Sequence, residues 1–160
     1  MAKSLIAYFS HSGNTEVIAN MIKENVGGDL FKIETVETYP SDYNAVVNVA
    51  KKEQNADSRP ELATEVENMD SYDVIYIGFP NWWSTIPMGL FTFFEAYDFS
   101  GKTIIPFCTH EGSGMGRSER DIKKLCPKSN ALSGLPIRGS SVHRAEKEVS
   151  NWLQKLGMLS

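Results

Sequence analysis

Three short apolar runs without polar alternation constrain the fold of this 160-residue chain most strongly. They are residues 5–9 (LIAYF), 74–77 (VIYI) and 104–107 (IIPF). Such continuous runs suit strands that are buried on both faces, as in a parallel sheet covered by helices. A shorter, more alternating run at residues 30–33 is expected nearer a sheet edge. Residues 131–137 offer the only place for a fifth strand, although Gly134 and Pro136 interrupt the pattern.

Helical patterns lie between these runs. Apolar residues recur at helical spacing in residues 17–26, 88–94 and 145–156, and more weakly in residues 43–54 and 117–125. Strand and helix therefore alternate through five units. This order predicts an α/β fold, a three-layer α/β/α sandwich with a five-stranded parallel sheet and right-handed crossovers.

Two segments fit the pattern less well. Pro106 lies inside a predicted buried strand but has no N–H to donate to a neighbouring strand. We expect it near a bulge, or at a place where the N–H would have no partner. Residues 58–72 form a long acidic stretch that is expected to be a surface connection.

Length and composition exclude several classes of protein. The length predicts one domain over residues 1–160. Cys108 and Cys126 are too few and too far apart for a disulfide framework or a CxxC metal clip. No apolar run approaches the ~18 residues of a membrane helix, and the N-terminal residues, Met1 onward, lack the apolar core of a signal peptide. We therefore expect a reduced, cytoplasmic protein without a membrane partner.

The charge distribution carries further information. The net charge of −4 disfavours bulk nucleic-acid binding. Acidic side chains dominate residues 1–100, whereas basic side chains dominate residues 101–160. This asymmetry has two possible explanations. It arises by chance from solvated helix faces, or it forms a dipolar surface that orients a charged partner.

The loop after the first predicted strand has the composition of an anion site. It comprises Ser10, His11, Ser12, Gly13, Asn14 and Thr15. Free N–H groups and the dipole of the following helix favour an anion there. Because the loop contains no Lys or Arg, it is not a triphosphate-binding loop and suits one terminal monophosphate held by neutral donors. The alternative is a Ser- and Asn-rich helix cap that binds no ligand.

The loop after the third predicted strand contains two adjacent tryptophans. Its candidate binding residues are Pro80, Asn81, Trp82, Trp83 and Ser84. Loops seldom contain such large apolar side chains, and one indole could stack on a flat heteroaromatic ligand. Alternatively, both tryptophans seal the sheet end or form a dimer contact. We expect at least one of them to pack inward.

The loop after the fourth predicted strand is rich in glycine and could close over a ligand. Its candidate residues are Thr109, His110, Glu111, Gly112, Ser113 and Gly114. His110 and Glu111 could exchange protons with a ligand, although a solvated loop tip is the favoured interpretation. The three loops follow parallel strands and should converge at one end of the sheet. Together, the three loops predict a site for a mononucleotide with a large planar ring.

These loops resemble those of the flavodoxin-like family of FMN-binding proteins. Residues 10–15 resemble the family's T/S-x-T-G-x-T phosphate motif, with Ser12 in place of the usual threonine. Residues 80–87 resemble the flavin-ring loop of a bacterial flavodoxin-like subgroup, and the similarity extends over nearly the whole chain. The fifth predicted strand lacks the long insertion of long-chain flavodoxins, so the chain resembles the short-chain members.

The resemblance implies a sheet order of 2-1-3-4-5 and a noncovalently bound FMN. Ser10, Ser12, Asn14 and Thr15 would hold the phosphate together with the N–H groups of residues 11–15. Residues 80–84 and 109–114 would flank the isoalloxazine. The flavin itself would carry out the chemistry, with no catalytic side chain. Since the three loops contain no Lys or Arg, a low reduction potential is predicted.

The sequence is compatible with three functions. The first is an electron-transfer flavoprotein reduced by a partner protein. The second is an NAD(P)H-dependent FMN reductase of quinones or similar small acceptors, in which Arg117 and Arg120 could contact a phosphate of the donor. The third is a flavodoxin-fold binding module without redox activity. The sequence is compatible with a monomer or a homodimer.

Overall fold

The computed structural model describes residues 3–159. Met1 and Ala2, on which part of the signal-peptide prediction rests, and Ser160 lie outside the described residues. The strands are β1 (Ser4–Tyr8), β2 (Asp29–Lys32), β3 (Val74–Pro80), β4 (Thr103–His110), β5 (Asn130–Ala131) and β6 (Leu135–Arg138). The α-helices are α1 (Asn14–Val26), α2 (Tyr43–Asn55), α3 (Met88–Ala96), α4 (Ser118–Leu125) and α5 (Glu146–Lys155). Short 3-10 segments cover Met69–Ser71 and Gly139–Arg144. None of the helices in residues 3–159 combines the length and the hydropathy needed to cross a bilayer.

The sheet is parallel, with the order β2-β1-β3-β4-β5, and β6 also pairs with β4. This confirms the predicted α/β fold and strand order. The apolar runs form β1, β3 and β4, whose residues are almost all buried because helices cover both faces. The more alternating run forms β2 at the sheet edge, where most of its residues are exposed.

The fifth strand is broken in two opposite Pro106. β5 pairs with the start of β4, and β6 pairs with its end. The carbonyls of Lys102 and Ile104 accept hydrogen bonds from the fifth-strand side. Because backbone orientation repeats every second residue, the nitrogen of Pro106 faces the same side, at the break. The proline therefore occupies a position where an N–H would have no strand partner, as predicted.

Two apolar cores lie on opposite faces of the sheet. Helices α1 and α5 pack on one face, where Ile18, Ile22 and Leu153 are fully buried. Helices α3 and α4 cover the other face through Leu90 and Phe93 of α3 and an isoleucine of α4. This arrangement leaves the carboxyl ends of β1, β3 and β4 free to carry the three candidate loops.

The segment 58–72 is more than a surface connection, so that expectation was wrong in part. Val66, Met69 and Tyr72 are buried against the α3 face of the sheet. Lys102, which is only 8% exposed, donates from Nζ to the carbonyls of Met69 (3.1 Å) and Tyr72 (2.6 Å). Lys102 thus satisfies two backbone carbonyls of this segment. The buried apolar residues of the segment are scattered among acidic ones in the sequence.

Candidate functional site

The three loops meet around a cleft of about 390 Å³. A volume of this size is typical of a small-molecule site. The predicted residues that line it are His11, Ser12, Asn14, Pro80, Asn81, Trp82, Trp83, Thr109, His110, Glu111 and Ser113. The remaining predicted residues belong to the same three loops but do not line the cleft: Ser10, Gly13, Thr15, Ser84, Gly112 and Gly114. The expected convergence of the loops is therefore present.

The first loop presents the N-terminus of α1 to the cleft. Gly13 adopts a left-handed conformation with φ of 95°, and its N–H donates to Ser10 Oγ over 3.1 Å. Helix α1 begins at Asn14, and no side-chain hydrogen bond caps it within the described part of the chain. The first-turn N–H groups have no partners within the helix, so they remain available to an anion.

Thr15 is placed differently from its neighbours in the loop. Its side chain is 1% exposed, and its Oγ1 lies 2.8 Å from Oγ1 of Thr109. This buried hydrogen bond joins the start of α1 to the end of β4. Thr15 therefore braces two loops of the cleft, and a contact of its hydroxyl with phosphate stays a prediction.

The two tryptophans have different environments. Trp82 packs edge-to-face against Phe9 and Tyr39, with ring centroids 5.3 and 5.0 Å apart. Trp83 is 42% exposed at the mouth of the cleft, and Lys51 Nζ lies 4.8 Å from its ring centroid. One tryptophan thus packs inward, as expected, while the other stays accessible.

The turn at Trp83 and Ser84 holds both residues at positive φ, 52° and 71°. A two-residue turn of this kind normally uses Gly or Asn, and non-glycine residues there cost roughly 1–3 kcal/mol each. Contacts from both sides stabilise it: Trp83 Nε1 donates to the Val47 carbonyl over 2.9 Å, and the Arg117 N–H donates to the Ser84 carbonyl over 2.6 Å. The second loop is therefore fixed to both α2 and the start of α4.

The third loop is folded onto His110. The N–H of Gly112 donates to His110 Nδ1 over 2.9 Å. Burial, followed by the nearby positive charge of Arg138, lowers the pKa of His110, so the imidazole is neutral at pH 7 and can accept this bond. A Cβ added to Gly139 would lie 2.5 Å from Glu111 Oε1 and 2.7 Å from Asn14 Nδ2. Glu111 is thus brought next to the first loop.

Sequence reasoning missed two contributors to the site. Helix α2 supplies part of the cleft wall, through Tyr43, Val46, Val47 and Ala50. Their spacing was a usable signal, because positions 43, 46, 47 and 50 lie on one face of a helix. Arg138, at the carboxyl end of β6, pairs in register with His110 and lies 3.5 Å (Nη1) from the Glu111 carbonyl oxygen. A cation therefore flanks the third loop although the loops contain none.

Asn81 has an unusual hydrogen-bonding state. Its N–H donates to the Thr109 carbonyl over 2.8 Å, and its Nδ2 donates to the Gly114 carbonyl over 2.6 Å. Its Oδ1 is buried and has no partner among the described residues. Buried polar atoms are rarely left unpaired, and Asn81 lines the cleft. The amide oxygen itself is covered by the surrounding protein, although the residue borders the cleft.

The fold and this site place the chain among known proteins. The model of the family described as Flavodoxin matches residues 3–156, and the chain belongs to that family. None of the curated proteins compared with the chain matches it.

Solved structures agree with this assignment. A candidate flavoprotein from Bacteroides eggerthii is 35% identical, with a TM-score of 0.87 and coverage of 98% of this chain and 99% of that one. A second, from Bacteroides uniformis, is 33% identical, with a TM-score of 0.85 and coverage of 96% and 98%. A flavoprotein from Lactobacillus acidophilus, solved in complex with FMN, shares the fold at 22% identity, with a TM-score of 0.75 and coverage of 90% and 98%.

Family membership agrees with the predicted FMN cofactor, and the residues present fit that group. Unpaired N–H groups at α1 and the hydroxyl of Ser12 suit a phosphate. The aromatic and aliphatic wall formed by Trp82, Trp83 and α2 suits a planar ring.

Proposed function

We propose that residues 1–160 form one domain that binds FMN noncovalently in this cleft and transfers electrons with a partner protein in the cytoplasm. The observation that supports this most directly is the convergence of a neutral anion site, an aromatic wall and a glycine-rich loop on one cleft of about 390 Å³. Bound FMN supplies one- and two-electron redox chemistry, and the protein binds and orients it.

The phosphate end of the ligand would lie at the start of α1. Ser12 and Asn14 line the cleft there, and the helix dipole favours a negative charge. Backbone N–H groups and neutral side chains can hold a phosphate without a cation, as the unpaired N–H groups of a helix N-terminus do in other phosphate sites. Ser10 shapes this loop by accepting the N–H of Gly13.

The ring end of the ligand would lie between the second and third loops. Trp82 is held by its contacts with Phe9 and Tyr39, so it offers a rigid surface. Val46 and Val47 of α2 line the same cleft. This apolar wall excludes water from the ring and leaves an edge accessible near the exposed Trp83. An accessible edge is what electron exchange with a docked protein requires.

An NAD(P)H-dependent reductase of quinones or similar acceptors is the second candidate. The observation in its favour is that two arginines at the start of α4 follow a direct contact with the second loop. Arg117 is joined through its N–H to Ser84, and the side chain of Arg120, one turn further along α4, is 72% exposed. Either guanidinium could meet a phosphate of a transient donor.

One anaerobic experiment separates these functions. The protein is loaded with FMN, NADPH or NADH is added without oxygen, and the visible absorbance of the flavin is followed. We expect no rapid bleaching with either nucleotide, and full reduction by dithionite. Rapid bleaching by NAD(P)H would identify the reductase instead. Failure of the purified protein to bind FMN at all would leave a binding module without redox activity.

A further inference from the structure

The outward face of helix α4 indicates the charge of the protein's electron-transfer partner. We propose that the exposed cations of α4 form the docking surface for an acidic redox protein. The proposal rests on the proposed function, because it takes electron transfer with a protein as the activity of the cleft. It adds the chemistry of that partner and the surface on which it binds.

All the exposed charged side chains at α4 are positive. At 100° per residue they cover about one third of the helix circumference, opposite the buried Ser118 and Ile122. They are Arg117, at the N-cap, and Arg120, Lys123 and Lys124, and together they form the α4 surface.

The two acidic residues of α4 do not neutralise this surface, because both bond to the protein behind the helix. Glu119 Oε2 accepts the Gly134 N–H over 2.9 Å, and the Asp121 carboxylate accepts the Thr85 hydroxyl. Arg120 comes no closer than 4.0 Å to Asp121, and the other three cations form no ion pair within residues 3–159. The α4 surface therefore presents its positive charges to solvent.

The α4 surface begins directly beside the second loop of the cleft. The N–H of Arg117 donates to the Ser84 carbonyl over 2.6 Å, and Asp121 of α4 accepts from Thr85, the next residue. Ser84 follows Trp83, which is exposed at the mouth of the cleft. A protein seated on the α4 surface therefore lies next to this loop and its exposed tryptophan, where electrons can pass over a short distance.

The fold arranges the uneven charge of the sequence as a dipole across the sheet. Basic and acidic side chains number 6 and 15 in residues 1–100, and 10 and 5 in residues 101–160. The acidic segment 58–72 lies on the side of β2, where the Ala63 N–H donates to the Glu34 carbonyl over 2.7 Å. Helix α4 lies on the side of β5, and β2 and β5 are opposite edges of the sheet.

This dipole favours one orientation of an acidic partner. The β2 side repels such a protein, whereas the α4 surface attracts it, so the encounter is steered toward α4. A uniformly acidic chain would have no such preferred side. The charge asymmetry of the sequence is therefore explained by a dipolar surface that orients a charged partner.

Two other anionic partners fit the α4 surface less well. Nucleic acid is disfavoured by the net charge of −4. A helix that binds a membrane surface needs apolar side chains on its exposed face. The exposed positions of α4 carry only cations, and its isoleucine is buried in the core. An acidic protein is the partner that these charges favour.

Electron transfer from an acidic probe protein tests the proposal. A reduced [2Fe–2S] ferredoxin of strongly negative charge is mixed without oxygen with the FMN-loaded protein. One electron then passes from the reduced cluster, which is oxidised, to the oxidised flavin, which is reduced. We expect Lys123→Gln/Lys124→Gln to lower the second-order rate constant by roughly tenfold at low ionic strength. The difference from wild type should vanish at high salt.

A matched variant separates the α4 surface from net charge. Lys147→Gln/Lys155→Gln removes the same charge from exposed positions of α5, which packs on the opposite face of the sheet. This control should keep nearly the wild-type rate constant. Equal slowing in both double variants would show that only the net charge matters and would overturn the proposal.

Binding measurements distinguish failure of this inference from failure of the proposed function. Both double variants should bind FMN as the wild type does, by fluorescence titration. If the wild type binds no FMN, the proposed function fails. If FMN binds, titration of the 15N-labelled protein with the same ferredoxin should shift amide signals of α4 and leave those of α5 unchanged. Signals that shift on α5 alone, or on neither helix, would contradict the inference.

The same double variants also test the two other anionic partners. Duplex DNA and vesicles of phosphatidylglycerol are titrated with the wild-type protein at physiological salt. We expect neither to bind. Binding of DNA or vesicles that Lys123→Gln/Lys124→Gln abolishes, with an unchanged rate for the ferredoxin, would assign the α4 surface to that partner and overturn the proposal.

Discussion

Thr15 and Thr109 join two loops of the cofactor cleft through a buried hydrogen bond, with their hydroxyl oxygens 2.8 Å apart. Thr15 follows the first strand and Thr109 ends the pairing of β3 with β4. The bond therefore couples the position of α1, where a phosphate would bind, to the third loop, which would close on the ring.

Replacing Thr15 by valine should destabilise the protein by about 1–2 kcal/mol, because the buried Thr109 hydroxyl is left without a partner. The free energy of unfolding from urea titrations measures this. The double variant Thr15→Val/Thr109→Val should be less destabilised than the sum of the two single variants. Additive losses would show that the two hydroxyls do not interact.

Removing the Ser12 hydroxyl should weaken only the binding of the phosphate group. Ser12→Ala is expected to weaken FMN about tenfold and to leave riboflavin binding unchanged, since only FMN has a phosphate to accept the hydrogen bond. Fluorescence titration with the two flavins measures both constants. Ser133→Ala, at an exposed position on the fifth-strand connection, is the control. Equal losses for both flavins would show that the loop is assigned wrongly.

Lys102 is expected to be needed for stability although it lies far from the cleft. Lys102→Met should lower the free energy of unfolding by about 2–3 kcal/mol, because two buried carbonyls lose a charged donor. Urea titration of this variant is compared with that of Lys128→Met, where the lysine is exposed. Loss of the same size in both variants would mean that methionine itself, and not the lost hydrogen bonds, is responsible.

Lys102 also illustrates where sequence reasoning succeeds and where it stops. The buried strands were predictable, because an apolar run with no alternation is compatible with few structures. The anchors Val66 and Met69 were not, because they are single apolar residues among acidic ones and their burial depends on packing against α3. The same limit applies to Arg138: it approaches the third loop only through the pairing of β6 with β4. Motifs within one loop and the meeting of the three loops at one end of the sheet were predictable, whereas individual side-chain contacts between distant segments were not.

The lowered pKa of His110 predicts a pH dependence of stability. A histidine that is less readily protonated in the folded state contributes stability above its unfolded pKa of about 6.5. That contribution is lost as the pH falls through the folded pKa, because protonation then favours the unfolded chain. The free energy of unfolding should therefore decrease between pH 7 and pH 5.

The variant His110→Asn should show a flatter dependence over this range, since asparagine can accept the Gly112 N–H without titrating. Urea titrations at a series of pH values give the slope. His143→Gln, at an exposed position in the Gly139–Arg144 segment, should keep the wild-type slope. If His110→Asn and wild type have the same slope, another group controls the acid dependence.

The charges around the cleft predict a low reduction potential for bound FMN. Glu111 lines the cleft, and no Lys or Arg does so within residues 3–159. A carboxylate in the cleft disfavours added negative charge on the flavin, so Glu111→Gln should raise the potential by roughly tens of millivolts. Arg138→Gln should lower the potential, because it removes a positive charge beside the backbone carbonyl of Glu111.

Potentiometric titration with redox mediators measures these shifts, with Glu146→Gln on α5 as the control. Since the side chains of Glu111 and Arg138 are exposed, added salt should reduce both shifts in potential. A wild-type potential above that of free FMN would contradict this account of the electrostatics.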